Sequence, residues 1–171
     1  MRSSSQDILK KYQDLFFEDF RGSNTIHFED TKENISFKES FSKKNAFRGM
    51  HLQIPPNVQK KYIRVVSGKI EDYVIPLNSN RKDYGQIHSF ILNENSGFFE
   101  IPIFCAHGFK VLEDTNFMYI CIGNYSEKNE LSIALPNQSN ELLISPKDQA
   151  GMSLEDALEH CKSIDWEKSK I

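Results

Sequence analysis

One short segment of the chain concentrates residues that can hold an anion and remove a proton. It runs Phe47-Arg48-Gly49-Met50-His51-Leu52-Gln53 and, after Pro55-Pro56, continues through Gln59 and Lys61. A histidine side chain titrates near pH 6.5 and can act as a base at neutral pH. Arginine and lysine stabilise negative charge on a ligand. The segment therefore indicates an anionic ligand that has a proton to lose.

Two further groups of polar residues lie later in the chain. The first is Ala106-His107-Gly108-Phe109, and the second begins at Tyr119 and continues through Asn124, Tyr125 and Glu130. Tyrosine supplies a hydroxyl that can donate a proton. The order and spacing of the three groups carry more information than any single residue.

The elements that must position these groups are mainly strands. From Ile35 to Ile144 the sequence consists of short β-branched and aromatic runs separated by turn residues, a pattern typical of an all-β barrel or sandwich. The clearest predicted hairpin joins Lys61–Val66 to Ile70–Leu77 through the turn Ser67-Gly68-Lys69. Alternation places Lys61, Ile63 and Val65 on one face. Further strands are predicted near Ser89–Leu92, Gly97–Ile101, Phe109–Leu112, Asn116–Ile122, Ser132–Leu135 and Glu141–Ile144.

Both ends of the chain have helical patterns. Apolar residues recur at helical intervals within Gln6–Glu18, and Ser153 is a good N-cap for a helix that continues to Cys161. A length of 171 residues suits one domain. We therefore expect a single domain over 1–171, with a helix and arm at 1–34, a β-barrel at 35–145 and a helix and tail at 146–171.

The composition excludes several classes of protein. The chain is 39% hydrophobic and 26% charged with a net charge of -3, so it has no basic footprint for nucleic acid. It has no long apolar run and no signal peptide at its start, so we expect a cytoplasmic protein without a membrane segment. Cys105, Cys121 and Cys161 are widely spaced and odd in number, which favours buried thiols over disulfides or a zinc site.

The pattern R-G-(hydrophobic)-H-x-Q, then Q-x-K, A-H-G-F and a tyrosine on the following strand resembles the dTDP-4-dehydrorhamnose 3,5-epimerase family. The resemblance extends from about Asp19 to Asp156. It implies an all-β fold, a cupin-type jelly-roll barrel with short flanking helices at both ends. It also implies a homodimer, a nucleotide-diphospho-4-keto-sugar substrate, and no metal or organic cofactor.

The resemblance further implies a role for individual residues. His51 matches the catalytic base, Lys61 the lysine beside the keto oxygen and Tyr119 the proton donor on the other face. Asp156, in the S-x-x-D of Ser153-Leu154-Glu155-Asp156, matches the aspartate that orients the histidine. The resemblance also implies that the substrate is contacted by Arg48, Gln53, Gln59, His107 and Arg21. Arg21 matches an arginine that reaches a nucleotide in the neighbouring subunit.

The chemistry of a 4-keto sugar agrees with these roles. The carbonyl at C4 acidifies the protons on C3 and C5, and a fixed ammonium stabilises the charge that develops on the keto oxygen. Inversion also needs a base on one face of the carbon and an acid on the other. His51 and Tyr119 would divide that work.

The sequence differs from the family pattern at positions that are expected to determine substrate specificity. Many dTDP-specific members carry aromatic residues after the early R-G, one of which stacks on thymine, whereas Ser23-Asn24-Thr25-Ile26 follows Arg21-Gly22 here. Lys38-Glu39-Ser40 replaces an Asn-His-Ser stretch. Relatives in bacterial surface-polysaccharide pathways act on GDP-linked 4-keto sugars, including heptoses. The resemblance therefore leaves open dTDP or GDP as the nucleotide, a hexose or a heptose as the sugar, and inversion at C3 alone or at C3 and C5. The expected pathway is bacterial surface polysaccharide synthesis.

Three other interpretations compete with the epimerase. A metal-dependent cupin usually carries an H-x-H pair, and none occurs in the sequence. The related 3,4-ketoisomerases typically have histidine where this chain has Leu52-Gln53. A non-catalytic sugar-binding cupin does not need His51, Lys61, Tyr119 and Asp156 together. Individually, Tyr119 is also compatible with a core position, and Asp156 with a helix cap.

Overall fold

The structure is a computed structural model that describes residues 12–134, 141–169 and 171. Within these residues the chain forms ten strands and two short α-helices. The strands are β1 (Leu15–Asp19), β2 (Gly22–Asp30), β3 (Ile35–Ser42), β4 (Ala46–Gln53), β5 (Lys60–Pro76), β6 (His88–Asn93), β7 (Phe99–Ile101), β8 (Cys105–Ile122), β9 (Glu130–Ser132) and β10 (Leu143–Ile144). The helices are α1 (Pro146–Gln149) and α2 (Leu154–Cys161), and 3-10 turns lie at Glu127–Asn129 and Trp166–Lys168.

Two long strands organise the sheet. β5 and β8 contain 17 and 18 residues and pair antiparallel along almost their whole length. Their register shifts three times between Val65 and Ile70, so both strands bend there. The first half of β5 then pairs with β7 and its second half with β6. In the same way, β8 pairs with β4 near its start and with β3 near its end.

The bend divides the sheet into two facing layers. One layer has the order β1-β2-β3, then the end of β8, the start of β5, and β7. The other has β10 and β4, then the start of β8, the end of β5, and β6. Apolar side chains from both layers fill the space between them. This is the cupin-type jelly roll that the resemblance implies, and α2 is capped by Ser153 as the sequence predicts.

The predicted hairpin at Ser67-Gly68-Lys69 is wrong. The chain does not reverse there, because β5 runs through these residues as one bulged strand. Gly68 has φ +91°, and a Cβ on it would lie 2.3 Å from the carbonyl oxygen of Asp114. A glycine at this point permits a bulge against β8 as well as a turn, and the sequence signal is the same for both.

The N-terminal region also differs from the prediction. Residues 15–18, expected in a helix, belong to β1, and Gln6–Lys11 lie outside the described residues. β1 pairs with β2 from Leu15↔Ile26 to Asp19↔Gly22. Adjacent Phe16 and Phe17 favour a strand, and pairing with β2 satisfies the backbone better than an isolated helical turn. The sheet therefore begins well before the predicted barrel boundary at residue 35.

The three cysteines are free and buried, as the sequence predicts. Trp166 closes the C-terminal segment against the barrel, since its indole N–H donates to the carbonyl oxygen of Leu77 at 3.1 Å. No helix in the described part of the chain is long and apolar enough to span a membrane.

Candidate active site

A cavity of about 310 Å³ lies between the two layers. Lys61 and Tyr119 line it from the first layer, and Arg48, His51 and His107 line it from the second. Lys61 pairs with Cys121, and Ile63 pairs with Tyr119, so alternation turns Lys61 and Tyr119 to the same face. Residues that are far apart in sequence therefore meet across one space.

A bulge in β4 brings Arg48 and His51 to the cavity together. Two residues three positions apart in a regular strand point to opposite faces, but the register of β4 against β8 shifts between Arg48 and His51. Gly49 and Gly108 approach so closely at this point that a Cβ on Gly49 would lie 2.5 Å from the Cα of Gly108. The glycines of the R-G and A-H-G-F motifs thus allow the two motifs to cross.

His51 is held by a carboxylate. Its Nε2 lies 2.9 Å from Oδ1 of Asp148, whose side chain is only 3% exposed. Burial raises the pKa of Asp148, but the hydrogen bond from His51 and the charge of Arg21 outweigh it, and the pKa is lowered. An ionised carboxylate only accepts hydrogen bonds, so Nε2 of His51 carries a proton. Nδ1 of the neutral ring is then the free base.

The expected pairing of His51 with Asp156 is wrong. The side chain of Asp156 is exposed, and it accepts a hydrogen bond from Ser153 at the start of α2. The chain contains a second S-x-x-D eight residues earlier, Ser145-Pro146-Lys147-Asp148, which forms α1 in the same way. β10 runs parallel to β4 and therefore delivers α1, rather than α2, beside His51.

Arg21 lines the cavity of its own chain. Its Nη1 donates to Oδ2 of Asp148 at 2.8 Å, and its Nε and Nη2 donate to Asp19. The guanidinium and His51 therefore hold opposite oxygens of the same carboxylate. Asp19 in turn has a lowered pKa, chiefly because Arg21 donates hydrogen bonds to it.

Lys61 is a half-buried ammonium with no direct partner. Within the described part of the chain, no hydrogen bond or ion pair joins it to another residue. Desolvation lowers its pKa, and the neighbouring Lys38 contributes in the same direction. Negative charge on Glu130 opposes the shift but does not cancel it. A partner of opposite charge in the cavity would therefore interact strongly with Lys61.

The hydroxyl of Tyr119 donates to Oδ1 of Asn24 at 3.1 Å. Burial raises the pKa of Tyr119, and the charge of Arg48 and the bond to Asn24 reduce that effect only in part. The phenol is therefore protonated at neutral pH. Asn24 is a cavity residue that sequence reasoning did not select, although it belongs to the stretch that departs from the family.

Arg48 and His107 are both fixed by other side chains. Nε of Arg48 donates to Oγ of Ser42 at 2.8 Å, and burial followed by the charge of Arg21 lowers the pKa of Arg48. Nε2 of His107 lies 2.7 Å from Oδ1 of the buried Asp72. Nη1 of Arg48 has no hydrogen-bond partner among the described residues. Arg48 and His107 both line the cavity.

Two predicted substrate residues do not reach the cavity. Gln53 and Gln59 are buried outside its lining. Oε1 of Gln53 accepts the backbone N–H of Ser126 at 2.9 Å, and Nε2 of Gln59 donates to the carbonyl oxygen of Gly123 at 3.0 Å. Both amides therefore hold the loop after β8. Tyr125, from the third polar group, is exposed, and its hydroxyl donates to Glu130.

The lining is strongly cationic. Lys147 joins Arg21, Arg48 and Lys61, whereas Asp148 is the one acidic residue among the described lining residues. Sequence reasoning missed Lys147, which pairs with Glu130, and Ser40, whose buried Oγ has no partner among the described residues. Such a cavity attracts an anion. The described residues contain no group of three or more His, Cys, Asp or Glu side chains that would hold a metal ion.

A cupin-type barrel with a histidine–aspartate pair on one wall, and a lysine and a tyrosine on the other, defines a protein with an internal acid–base site for an anionic ligand. The comparisons with known proteins specify it further. The model of the family described as dTDP-4-dehydrorhamnose 3,5-epimerase matches residues 6–156. The chain belongs to this family of isomerases.

Curated relatives and solved structures agree with this assignment. The dTDP-4-dehydrorhamnose 3,5-epimerase of Escherichia coli K12 is 28% identical over 157 residues, which cover 84% of each chain. The Shigella flexneri enzyme is 31% identical and covers 73% of this chain and 74% of its own. The Sulfolobus tokodaii enzyme, 28% identical, superposes with a TM-score of 0.65 over 83% of this chain and 96% of that chain. The Legionella pneumophila enzyme, whose structure contains dTDP-4-keto-L-rhamnose, is 26% identical. It superposes with a TM-score of 0.62 over 90% of this chain and 88% of that chain.

Proposed function

We propose that this chain is a nucleotide-diphospho-4-keto-6-deoxy-sugar 3,5-epimerase or 3-epimerase. The observation that supports it is the placement of His51 and Tyr119 on facing walls of one cavity. A sugar ring between the walls would present one face to the imidazole and the other to the phenol. Inversion of a carbon needs that arrangement, and binding alone does not.

The first step is removal of a proton by His51. Nδ1 of the imidazole takes the proton from the carbon next to the keto group, and the electron pair of the broken C–H bond forms the enolate. Asp148, ionised and bonded to Nε2, fixes the tautomer and stabilises the imidazolium that results. The imidazolium then loses its proton to solvent.

Lys61 carries the electrostatic part of the reaction. An ammonium with no protein partner, already desolvated, gains most when negative charge develops on a nearby keto oxygen. Its placement on the same face as Tyr119 puts this charge beside the carbon to be protonated. Lys61 is desolvated when the protein folds, so the free-energy penalty of desolvation does not add to the barrier of the reaction.

The second step is protonation from the opposite side. The phenol of Tyr119 donates its proton to the carbanion carbon, which inverts the centre and leaves a phenolate. Because the pKa of Tyr119 is raised, the phenolate is readily protonated again from solvent. One proton enters from solvent for each proton that leaves, so the reaction is balanced without a cofactor, as the resemblance implies.

The cationic residues that line the cavity would bind the diphosphate group of the substrate. Arg48 and Lys147 are held in place by Ser42 and Glu130, and Nη1 of Arg48 is available. Arginine recognises phosphate oxygens through pairs of N–H donors. Oγ of Ser40 supplies one further hydroxyl that has no partner among the described residues.

The identity of the substrate stays a prediction at three points. The nucleotide is dTDP or GDP, the sugar is a hexose or a heptose, and the inversion takes place at C3 alone or at C3 and C5. A role in bacterial surface polysaccharide synthesis and a cytoplasmic location stay predictions as well.

A homodimer is part of the proposal. β1 is the edge strand of its layer, and Leu15, Phe16, Phe17 and Phe20 are each at least half exposed. An unpaired edge with an apolar surface is normally covered, here by the same edge of a second copy. Sedimentation equilibrium should give twice the mass of the chain, and Phe16→Lys combined with Phe17→Glu should give the monomer.

The decisive experiment follows hydrogen exchange in deuterium oxide. The protein is incubated with dTDP- and GDP-linked 4-keto-6-deoxy sugars, both hexose and heptose, and the signals of C3 and C5 are followed by proton NMR. His51→Asn is the control for the base. Exchange that the variant abolishes supports the epimerase, and the carbons that exchange distinguish the 3-epimerase from the 3,5-epimerase. Migration of the carbonyl would indicate a ketoisomerase, and no exchange a binding protein.

A further inference from the structure

We propose that Asn24 is a positioning residue that holds the hydroxyl of Tyr119 at the cavity wall and stays bonded to it through proton donation. The inference rests on the proposed function, because it assumes that Tyr119 is the proton donor. It assigns a role to a residue in the Ser23–Ile26 stretch, where this chain departs from its family.

The bond between Asn24 and Tyr119 crosses an intervening strand. Asn24 on β2 pairs with Ser40 on β3, which pairs with Phe117 on β8, so the three side chains form one row that faces the cavity. Tyr119 lies two residues beyond Phe117 on the same face. The middle of the row is occupied by a serine. Its small side chain leaves room for the asparagine and the tyrosine to meet at 3.1 Å.

The amide suits both protonation states of the tyrosine. Oδ1 of Asn24 accepts the hydrogen bond of the neutral phenol. After the proton has moved to carbon, Nδ2 can donate to the phenolate oxygen once the amide turns over, because an amide carries both an acceptor and two donors. A carboxylate at this position would accept from the phenol but repel the phenolate. The asparagine therefore keeps the oxygen in one place throughout the reaction.

The test separates proton removal from inversion. In deuterium oxide, His51 can return deuterium to the face from which it took the proton, which labels recovered substrate without inverting it. Donation by Tyr119 labels the epimer instead. The ratio of labelled epimer to labelled recovered substrate, taken from initial rates by NMR, measures donation by Tyr119 independently of substrate affinity.

Two variants of similar size to asparagine, Asn24→Leu and Asn24→Asp, should each lower this ratio. The expected fall is about fivefold to tenfold, the worth of one hydrogen bond, with exchange into recovered substrate maintained. Thr25→Ala, on the opposite face of β2 and outside the cavity lining, is the matched control and should leave the ratio unchanged. The ¹³Cζ resonance of Tyr119, assigned with Tyr119→Phe, should move in Asn24→Leu and stay in Thr25→Ala.

An unchanged ratio in Asn24→Leu would overturn the proposal, and so would equal losses of exchange and inversion, which indicate only a structural role. An Asn24→Asp variant as active as the wild type would show that the donor group of the amide is not used. If the wild type exchanges no proton with any of the substrates, the proposed function fails first. The NMR comparison would then report the hydrogen bond alone.

Discussion

The carboxylate of Asp148 receives the Nε2–H of His51 at 2.9 Å, although 97 residues separate them in sequence. The contact depends on β10, which lies parallel to β4 and ends where α1 begins. Because the carboxylate fixes which ring nitrogen carries the proton, the other nitrogen is the base. The pair is therefore the first target for mutation.

Asp148→Asn should remove most of the activity. The amide can present an N–H to Nε2 of His51, which would favour the wrong tautomer and leave the imidazolium without a counter-charge. We expect kcat to fall by about 10³- to 10⁴-fold, as in other histidine–aspartate pairs. Steady-state kinetics of the purified variant measure the loss.

Asp156→Asn is the matched control for this prediction. Asp156 is exposed and bonds only to Ser153 in the described structure, so its loss should weaken the start of α2 by less than about 1 kcal/mol and leave kcat unchanged. Thermal unfolding and kinetics on the two variants together decide the assignment. Loss of kcat in Asp156→Asn with activity retained in Asp148→Asn would restore the pairing that the sequence predicts.

Arg21→Gln should move the acidic limb of the kcat/KM profile to higher pH. Arg21 shares the Asp148 carboxylate and helps to lower its pKa. Without the guanidinium, the ionised form of the carboxylate is stabilised less, so the His51–Asp148 pair takes up a proton at a higher pH. Arg21→Lys, which keeps the charge, should show a smaller displacement. A raised KM with an unmoved limb would indicate instead that Arg21 contacts the nucleotide.

Much of the site was predictable from sequence because its motifs lie on strands of regular period. His51, Lys61, Tyr119, Arg48 and His107 all line the cavity, as their motifs suggest. Gln53 and Gln59 belong to the same motifs but bond to the backbone of the loop after β8. A motif identifies residues of a family pattern, but it does not show whether a given side chain binds the ligand or holds a loop in place.

The errors come from features that sequence periodicity does not encode. Two S-x-x-D segments cap two helices identically, and only the parallel pairing of β10 decides which aspartate reaches His51. The sequence Ser67-Gly68-Lys69 is compatible with either a turn or a bulge. It forms a bulge here because β5 pairs with β8 on both sides of it. Both choices depend on contacts between residues that are distant in sequence. The fold class was predictable because it depends on local alternation over many strands.

Lys61→Met should abolish the electrostatic part of catalysis. Removal of a single donor or charge at a developing oxyanion costs about 10²- to 10³-fold in kcat. Lys60→Met is the matched control, because Lys60 points away from the cavity and pairs with Glu100 at 3.8 Å. Equal losses in the two variants would contradict an assignment to Lys61.

The alkaline limb of the wild-type profile should report the deprotonation of Lys61. Desolvation lowers the pKa of Lys61 from 10.5, whereas burial raises the pKa of Tyr119. Activity requires the ammonium and the phenol in their protonated forms, and the ammonium is lost first. The loss of activity at alkaline pH should therefore begin below pH 10.5. A Tyr119→Phe variant that still exchanges the substrate proton with solvent should show the same alkaline loss.

The same lysine should lower the stability of the fold. The native state binds the Lys61 proton less tightly than the unfolded chain, so stability rises with pH between the lowered pKa and the ordinary value of 10.5. At pH 7 the desolvated ammonium is a net cost. Lys61→Met should accordingly raise the melting temperature at pH 7 while it removes activity, and Lys60→Met should leave it unchanged. A lower melting temperature for Lys61→Met would show that the ammonium is not desolvated in the native state.

Gly68→Ala tests whether the bulge in β5 builds the two layers. A Cβ at Gly68 meets the carbonyl oxygen of Asp114 at 2.3 Å, in a backbone conformation of φ +91° that alanine rarely adopts. Gly97 shares the positive φ, at +81°, but a Cβ there has nothing within 4 Å. Gly97→Ala should therefore cost only the backbone term of about 1 kcal/mol, and Gly68→Ala should cost at least about 2 kcal/mol more because β8 must also move. Urea unfolding of both variants measures the difference. Equal stability losses in the two variants would show that the close contact at Asp114 does not constrain the bend. Gly68→Ala should also lower kcat, because β8 carries His107 and Tyr119 on either side of the bend.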